Sequence, residues 1–323
     1  MKERTLNRKY PNAEKQCCIP KFKLHKEIFT ENQLDSEAKE MPERVNWAGS
    51  ILNIPDVWRL TQGEGVKVAI LDTGIDTDHQ DLADAIIETK DFTGDGIEDE
   101  NGHGTHCAGI VGARLNGVGF VGVAPKSQLM IGKVLDNNGS GAYSWISDGI
   151  YWAVESGADV ISMSLGGPIS DPELYRAIQY ANFYGKHVIC AAGNEGTLGK
   201  NTIGYPGKYG GVITVASHDM NGNPSGFSSS GGEVDVMAPG TNIWSTYKHG
   251  GYAELSGTSM ATPFVAGLAA LIAARHKTSQ ESDNQLANGE DMKVHLLRMA
   301  THPGYHDNRS GYGPLIPFSY FGE

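Results

Sequence analysis

The 323-residue sequence is poor in what would place a protein in an oxidising compartment, a membrane or on a polyanion. Only four cysteines are present. Cys17 and Cys18 are adjacent, while Cys107 and Cys190 stand in small apolar segments, so no disulfide framework is suggested. Positive charge is in deficit: the formal net charge of −12 disfavours nucleic acid and anionic membrane as partners. The sequence shows no apolar run that reads as a membrane span, and the charged opening Met1-Lys2-Glu3-Arg4 is not followed by the apolar core of a secretion signal. A soluble, cytoplasmic protein is the expectation. Internal repeats, low-complexity tracts and long linkers are missing as well.

What is present is an alternation of strand and helix patterns. Strands are predicted over 66–71, 129–135, 159–165 and 187–192, with helices starting at 103 and running over 142–155 and 172–184. With 39% hydrophobic residues, the chain can bury one large core. The pattern predicts a three-layer α/β fold: a doubly wound, mostly parallel sheet with helices on both faces.

Three separated segments carry chemistry. The apolar run Val66 to Leu71 ends in Asp72, at the carboxyl end of a strand buried on both faces, where open α/β sheets collect their functional groups. An Asp opening an Asx-turn accounts for any one such strand end equally well. Asn101-Gly102-His103-Gly104-Thr105-His106-Cys107 places His103 between glycines at the start of a small-residue helix, which lets another backbone, such as a substrate, approach the imidazole. His103 and His106 could also form a metal pair, but no third ligand and no zincin glutamate accompany them. Ser256-Gly257-Thr258-Ser259-Met260-Ala261-Thr262-Pro263 puts Ser259 at the mouth of an apolar helix, as nucleophile or as ordinary N-cap.

Asp72, His103 and Ser259, in that order, resemble the catalytic triad of the subtilisin-like serine proteases. The resemblance spans roughly residues 57–313 and is nearest the intracellular subtilisins of Bacillus and its relatives. It implies a serine endopeptidase of broad specificity acting on polypeptides, in which Ser259 attacks, His103 relays the proton and Asp72 orients the ring. Ala191-Ala192-Gly193-Asn194-Glu195-Gly196 is similar to the family's oxyanion segment, with Asn194 as donor. Substrate contacts are implied for Ser164 and Gly166 on one wall and for Gly139 and Gly141 on the other. Glu195 stands where it would admit Lys or Arg, or is a solvated surface acid.

The resemblance further implies Ca2+. Arg114-Leu115-Asn116-Gly117-Val118-Gly119-Phe120 matches the family's tight calcium loop in length. The carbonyls of Arg114, Val118 and Phe120, the Asn116 side chain and Asp81 would be the ligands. A weaker cation site would use the carbonyls of Gly207, Tyr209 and Val212 with Asp235. Gln80 replaces the family's usual proline, and Phe264 its usual histidine. Residues 1–44 are expected to be an extension preceding a catalytic domain over 45–323. Cys18-Ile19-Pro20-Lys21-Phe22 resembles in part the family's inhibitory pro-peptide motif. A monomer or homodimer is expected. The alternative of a catalytically silent binding or regulatory protein would show a broken triad, and the triad is intact. A dinucleotide-binding sheet is disfavoured because no glycine fingerprint follows Asp72.

Overall fold

A computed structural model describes residues 22–23, 28–29, 42–197, 201–278 and 289–322. In chain order the elements begin with β1 (Phe22–Lys23), β2 (Ile28–Phe29), α1 (Trp47–Ile51), α2 (Ile54–Val57), β3 (Lys67–Asp72), β4 (Ile86–Asp91) and α3 (His103–Gly112). There follow β5 (Gln128–Lys133), β6 (Ser140–Gly141), α4 (Tyr143–Glu155), β7 (Val160–Met163), α5 (Pro172–Phe183), β8 (His187–Ala191) and β9 (Ile213–His218). The chain continues through β10 (Val236–Pro239), β11 (Ile243–Tyr247), β12 (Gly251–Ser256), α6 (Thr258–Thr278), α7 (Gly289–Met299) and α8 (Pro317–Phe321).

Seven strands form one parallel sheet in the order β10-β9-β8-β7-β3-β5-β4. Its central members are almost uniformly apolar, because a strand covered on both faces has no solvent side to leave polar. From β3 the chain builds outward through β4 and β5, then returns to add β7 on the other flank of β3. That reversal opens a crevice at the carboxyl ends of β3 and β7, where Asp72 and Ser164 stand.

Helices cover both faces, as predicted. On one face α4 buries Ile146, Ile150, Ala153 and Val154, spaced to line one helical stripe, against Leu71, Met130 and Ile161. Beside it α5 starts at Asp171, whose carboxylate accepts from Glu173 N and Leu174 N, with Pro172 at the first helical position. On the other face α3 and α6 pack together over Val68, Ile70, Ile189 and Val215. Residues 258–277 of α6 are long and apolar enough to cross a membrane, yet 94% of the apolar window is buried in the protein's own core. The antiparallel pair β11 and β12, behind α3, is not among the elements predicted from sequence.

The glycines beside His103 are packed closely by the protein itself, one against backbone and one against an aromatic ring. A Cβ on Gly104 would stand 2.3 Å from the Gly74 carbonyl oxygen, and Gly102 has φ 101° with the Tyr247 ring against it. These contacts let α3 lie close against the turn that follows β3.

Candidate active site

Asp72 and His103 meet at the crevice. His103 Nδ1 is 2.6 Å from Asp72 Oδ1, and both side chains are almost wholly shielded from solvent. Asp72 Oδ1 also accepts from Thr73 N, so the carboxylate is aimed by its own turn.

Ser259 is brought to the same place by α6. Pro263, four residues on, has no N–H to give the Ser259 carbonyl, which is therefore free for tertiary partners. It takes two: Ser164 Oγ at 2.8 Å and Cys107 Sγ at 3.5 Å. Cys107 Sγ in turn lies 3.8 Å from His103 Nε2, so a single thiol touches both the serine's backbone and the imidazole. The Ser259 hydroxyl faces the Ser164 carbonyl at 3.4 Å. Ser164 thus anchors the serine from both sides.

Asn194 is oriented with equal economy. Its Oδ1 accepts from Thr258 N and Thr258 Oγ1, which leaves Nδ2 buried and without a hydrogen-bond partner among the described residues. An unpaired buried donor costs free energy. A buried donor left unpaired in this way is of the kind that can meet a developing oxyanion.

Burial settles which neighbours are charged. The Cys107 thiol is pushed up to about 11 by desolvation, against the attraction of His103, so it is a neutral packing group. His106 turns away from His103: its Nε2 sits between the Ile243 and Ala253 carbonyls, and burial pushes it down to about 3. It makes no metal pair with His103. Asp72, His103 and Cys107 do bring three ligand-type atoms within 4.8 Å of one another.

The residues expected from sequence to contact substrate stand in loops and strand ends after β5, β7 and β8. Gly139 bends the loop with φ 72°, and Gly141 in β6 pairs with Phe22 of β1. Gly166 and Ser164 are buried after β7. Glu195 is exposed, with Oε2 accepting from Ser229 Oγ at 2.8 Å.

Several of the residues expected from sequence to bind calcium are joined by hydrogen bonds. Buried Asp81 accepts from Phe120 N and Tyr252 Oη through Oδ2, and Asn116 Nδ2 lies 3.2 Å from its Oδ1. Glu43, which the sequence reading did not place, reaches the loop, its Oε1 accepting from Asn116 N and Gly117 N. Asp81, Glu43, the Asn116 amide oxygen, which accepts from Val118 N, and the carbonyls of Arg114, Val118 and Phe120 are oxygen donors of the kind that suits a hard cation. The second set fits less well. One Asp235 oxygen pairs with Lys293 and the other accepts from Thr214 N, while the Gly207 carbonyl accepts from Thr214 Oγ1. Tyr209 and Val212 are buried nearby, but the carboxylate they would share already has its cation.

The subtilase family profile matches residues 63–313, which include every residue of this crevice. The chain belongs to the subtilase family. Over 257 residues, 77% of this chain and 78% of the relative, it is 48% identical to the intracellular serine protease of Paenibacillus polymyxa. It is 44% identical to the major intracellular serine protease of Bacillus subtilis over 84% of this chain and 86% of that one. Thermitase of Thermoactinomyces vulgaris is 44% identical over 74% of this subtilase and 86% of its own length. This subtilase is a serine endopeptidase of the subtilisin type.

Proposed function

We propose that this subtilase cleaves peptide bonds through Asp72, His103 and Ser259, with Asn194 and the Ser259 backbone N–H as oxyanion donors. The observation that carries the assignment is the buried 2.6 Å bond between His103 and Asp72, with the unpaired Asn194 amide held over the same crevice. Ser259 Oγ turns from the Ser164 carbonyl to His103 Nε2, gives up its proton and attacks the scissile carbonyl. His103, now an imidazolium held by Asp72, returns that proton to the leaving amine. The tetrahedral oxyanion is met by donors that need no reorganisation. Ser259→Ala tests the reading directly. Hydrolysis of casein or a peptide anilide should fall by several orders of magnitude, and retained turnover would refute the triad.

An extended polypeptide is the natural occupant of the crevice edge. Support comes from the chain's own N-terminal segment: Phe22–Lys23 pairs antiparallel with Ser140–Gly141, and Ile28–Phe29 with Leu255–Ser256, three residues before Ser259. Residues 1–44 are accordingly proposed to inhibit the enzyme until cleaved. The motif residues 18–21 and the connecting residues 24–27 lie outside the described residues. A cytoplasmic setting is favoured by relatives named as intracellular proteases. Calcium would be held by Asp81, Asn116, Glu43 and the loop carbonyls, where it would neutralise two carboxylates and tie the start of the domain to the loop after α3.

A further inference from the structure

Thr73, the residue after the catalytic aspartate, is gripped from both of its polar sides by buried charges. Its hydroxyl donates to Asp99 Oδ1 at 2.8 Å and accepts from Gly104 N at 2.9 Å, directly beside His103. Its carbonyl accepts from Lys133 Nζ. Asp99, 3% exposed, also accepts from Asn101 N, Gly102 N, Thr105 N and Thr105 Oγ1, and so caps α3 at the end that carries His103. Lys133 is fully buried. Its other donors go to the Glu98 carbonyl at 3.3 Å and Asn137 Oδ1 at 2.9 Å. Neither group forms an ion pair among the described residues.

Burying an ammonium on three uncharged acceptors is costly, so its placement calls for a compensating interaction. The charges around the crevice supply one. Asp72 and Asp99 are anions and Lys133 a cation, and when His103 accepts the proton of Ser259 the four groups sum to zero. Among the described groups near His103, Cys107 on its own helix and Ser259 from α6 are neutral, and His106, turned away toward the β11–β12 carbonyls, is neutral too. The balance therefore rests on Asp72 from β3, Asp99 from the loop before α3, and Lys133 from β5.

We infer that Asp99 and Lys133 form an opposite-charge clamp on Thr73 that positions the Asp72–His103 pair and sets the proton affinity of His103. Both are positioning residues, since neither touches a reacting atom. Asn137 extends the clamp to the substrate edge, because it stands in the loop leading to Gly139 and Gly141.

The clamp rests on the triad assignment, and its test separates the two. The measurement is the acid limb of kcat/KM for a peptide anilide, with kcat and KM resolved, in the full chain. Lys133→Met removes a positive charge and should move the limb to higher pH by about half a unit; Asp99→Asn should move it to lower pH by a similar amount. The double variant should return near the wild-type limb. In each single variant kcat should fall about tenfold or more while KM stays within about twofold, as expected for a misplaced dyad. Asn137→Asp, at a half-exposed position, offers Lys133 a carboxylate and should shift the limb upward even if the buried variants fail to fold. Limbs that stay put in Asn137→Asp and in every folded variant, or that move the same way in both charge deletions, overturn the clamp. Ser259→Ala is read in the same assay: activity surviving there removes the triad and the clamp together, whereas an inactive Ser259→Ala with unmoved limbs removes the clamp alone.

Discussion

Two histidines three residues apart on α3 have opposite fates. His103 faces the crevice and pairs with Asp72, while His106 is fully buried between two backbone carbonyls of the β11–β12 pair. Burial pushes His106 from 6.5 down to about 3. Its folded pKa lies below its unfolded one, so the unfolded chain binds more protons between those values. The stability His106 contributes is therefore complete above pH 6.5 and is lost as pH falls toward 3, by up to about 1.4 kcal/mol per pH unit. Urea midpoints at pH 7 and pH 5 should show the loss, with the His106 ring nitrogens remaining neutral by NMR at pH 5. The sequence announces His103 through its flanking glycines, although not that Gly104 also lies against the Gly74 carbonyl. It gives no sign of Asp99, Lys133 or Glu43, because isolated charged residues acquire meaning only from partners distant in the chain.

At the scale of elements, α6 shows why a proline is tolerated inside a helix. Pro263 withholds an N–H from the Ser259 carbonyl, and Ser164 and Cys107 claim that acceptor instead. Pro263→Ala should restore a competing helical donor, relax the nucleophile's anchor and lower kcat several-fold, with the melting temperature unchanged or raised. Kinetics alongside calorimetry separates this from general destabilisation, which would lower both. The apolar helix and the serine at its mouth are readable from residues 256–274. That one hydroxyl from the loop after β7 and one thiol from α3 complete it is not, since no local pattern links them. The β11–β12 pair escaped prediction for a related reason. Its Ser245 and Thr246 look like loop residues until their hydroxyls are seen bonding the His106 and Thr105 carbonyls of α3.

For the whole molecule, Glu43 and Asp81 place two carboxylates around one loop, and removing the cation they would share should cost stability rather than chemistry. A ligand present at a thousand times its dissociation constant stabilises by about 4 kcal/mol. Chelator should therefore speed thermal inactivation while initial rates stay unchanged, and Asp81→Asn should abolish the difference. Deleting residues 1–41, which spares Glu43 and Arg44 on the loop after α3, should raise the initial rate of peptide hydrolysis and remove any activation lag; an unchanged rate and lag would show that the extension does not inhibit. The central strands β3, β5, β7 and β8 of the parallel sheet, the helical layers on its two faces and the order of Asp72, His103 and Ser259 are legible in the linear sequence, whereas β4, β9 and β10 are not among the strands predicted from it. Apolar periodicity and strand-end chemistry are local properties that survive without coordinates. Only the tertiary structure decided which side chains hold the Ser259 carbonyl, which amide is left unpaired among the described residues and which buried charges grip Thr73 beside the histidine. Those depend on hydrogen bonds between residues as many as 152 positions apart, whose partners only folding brings within reach.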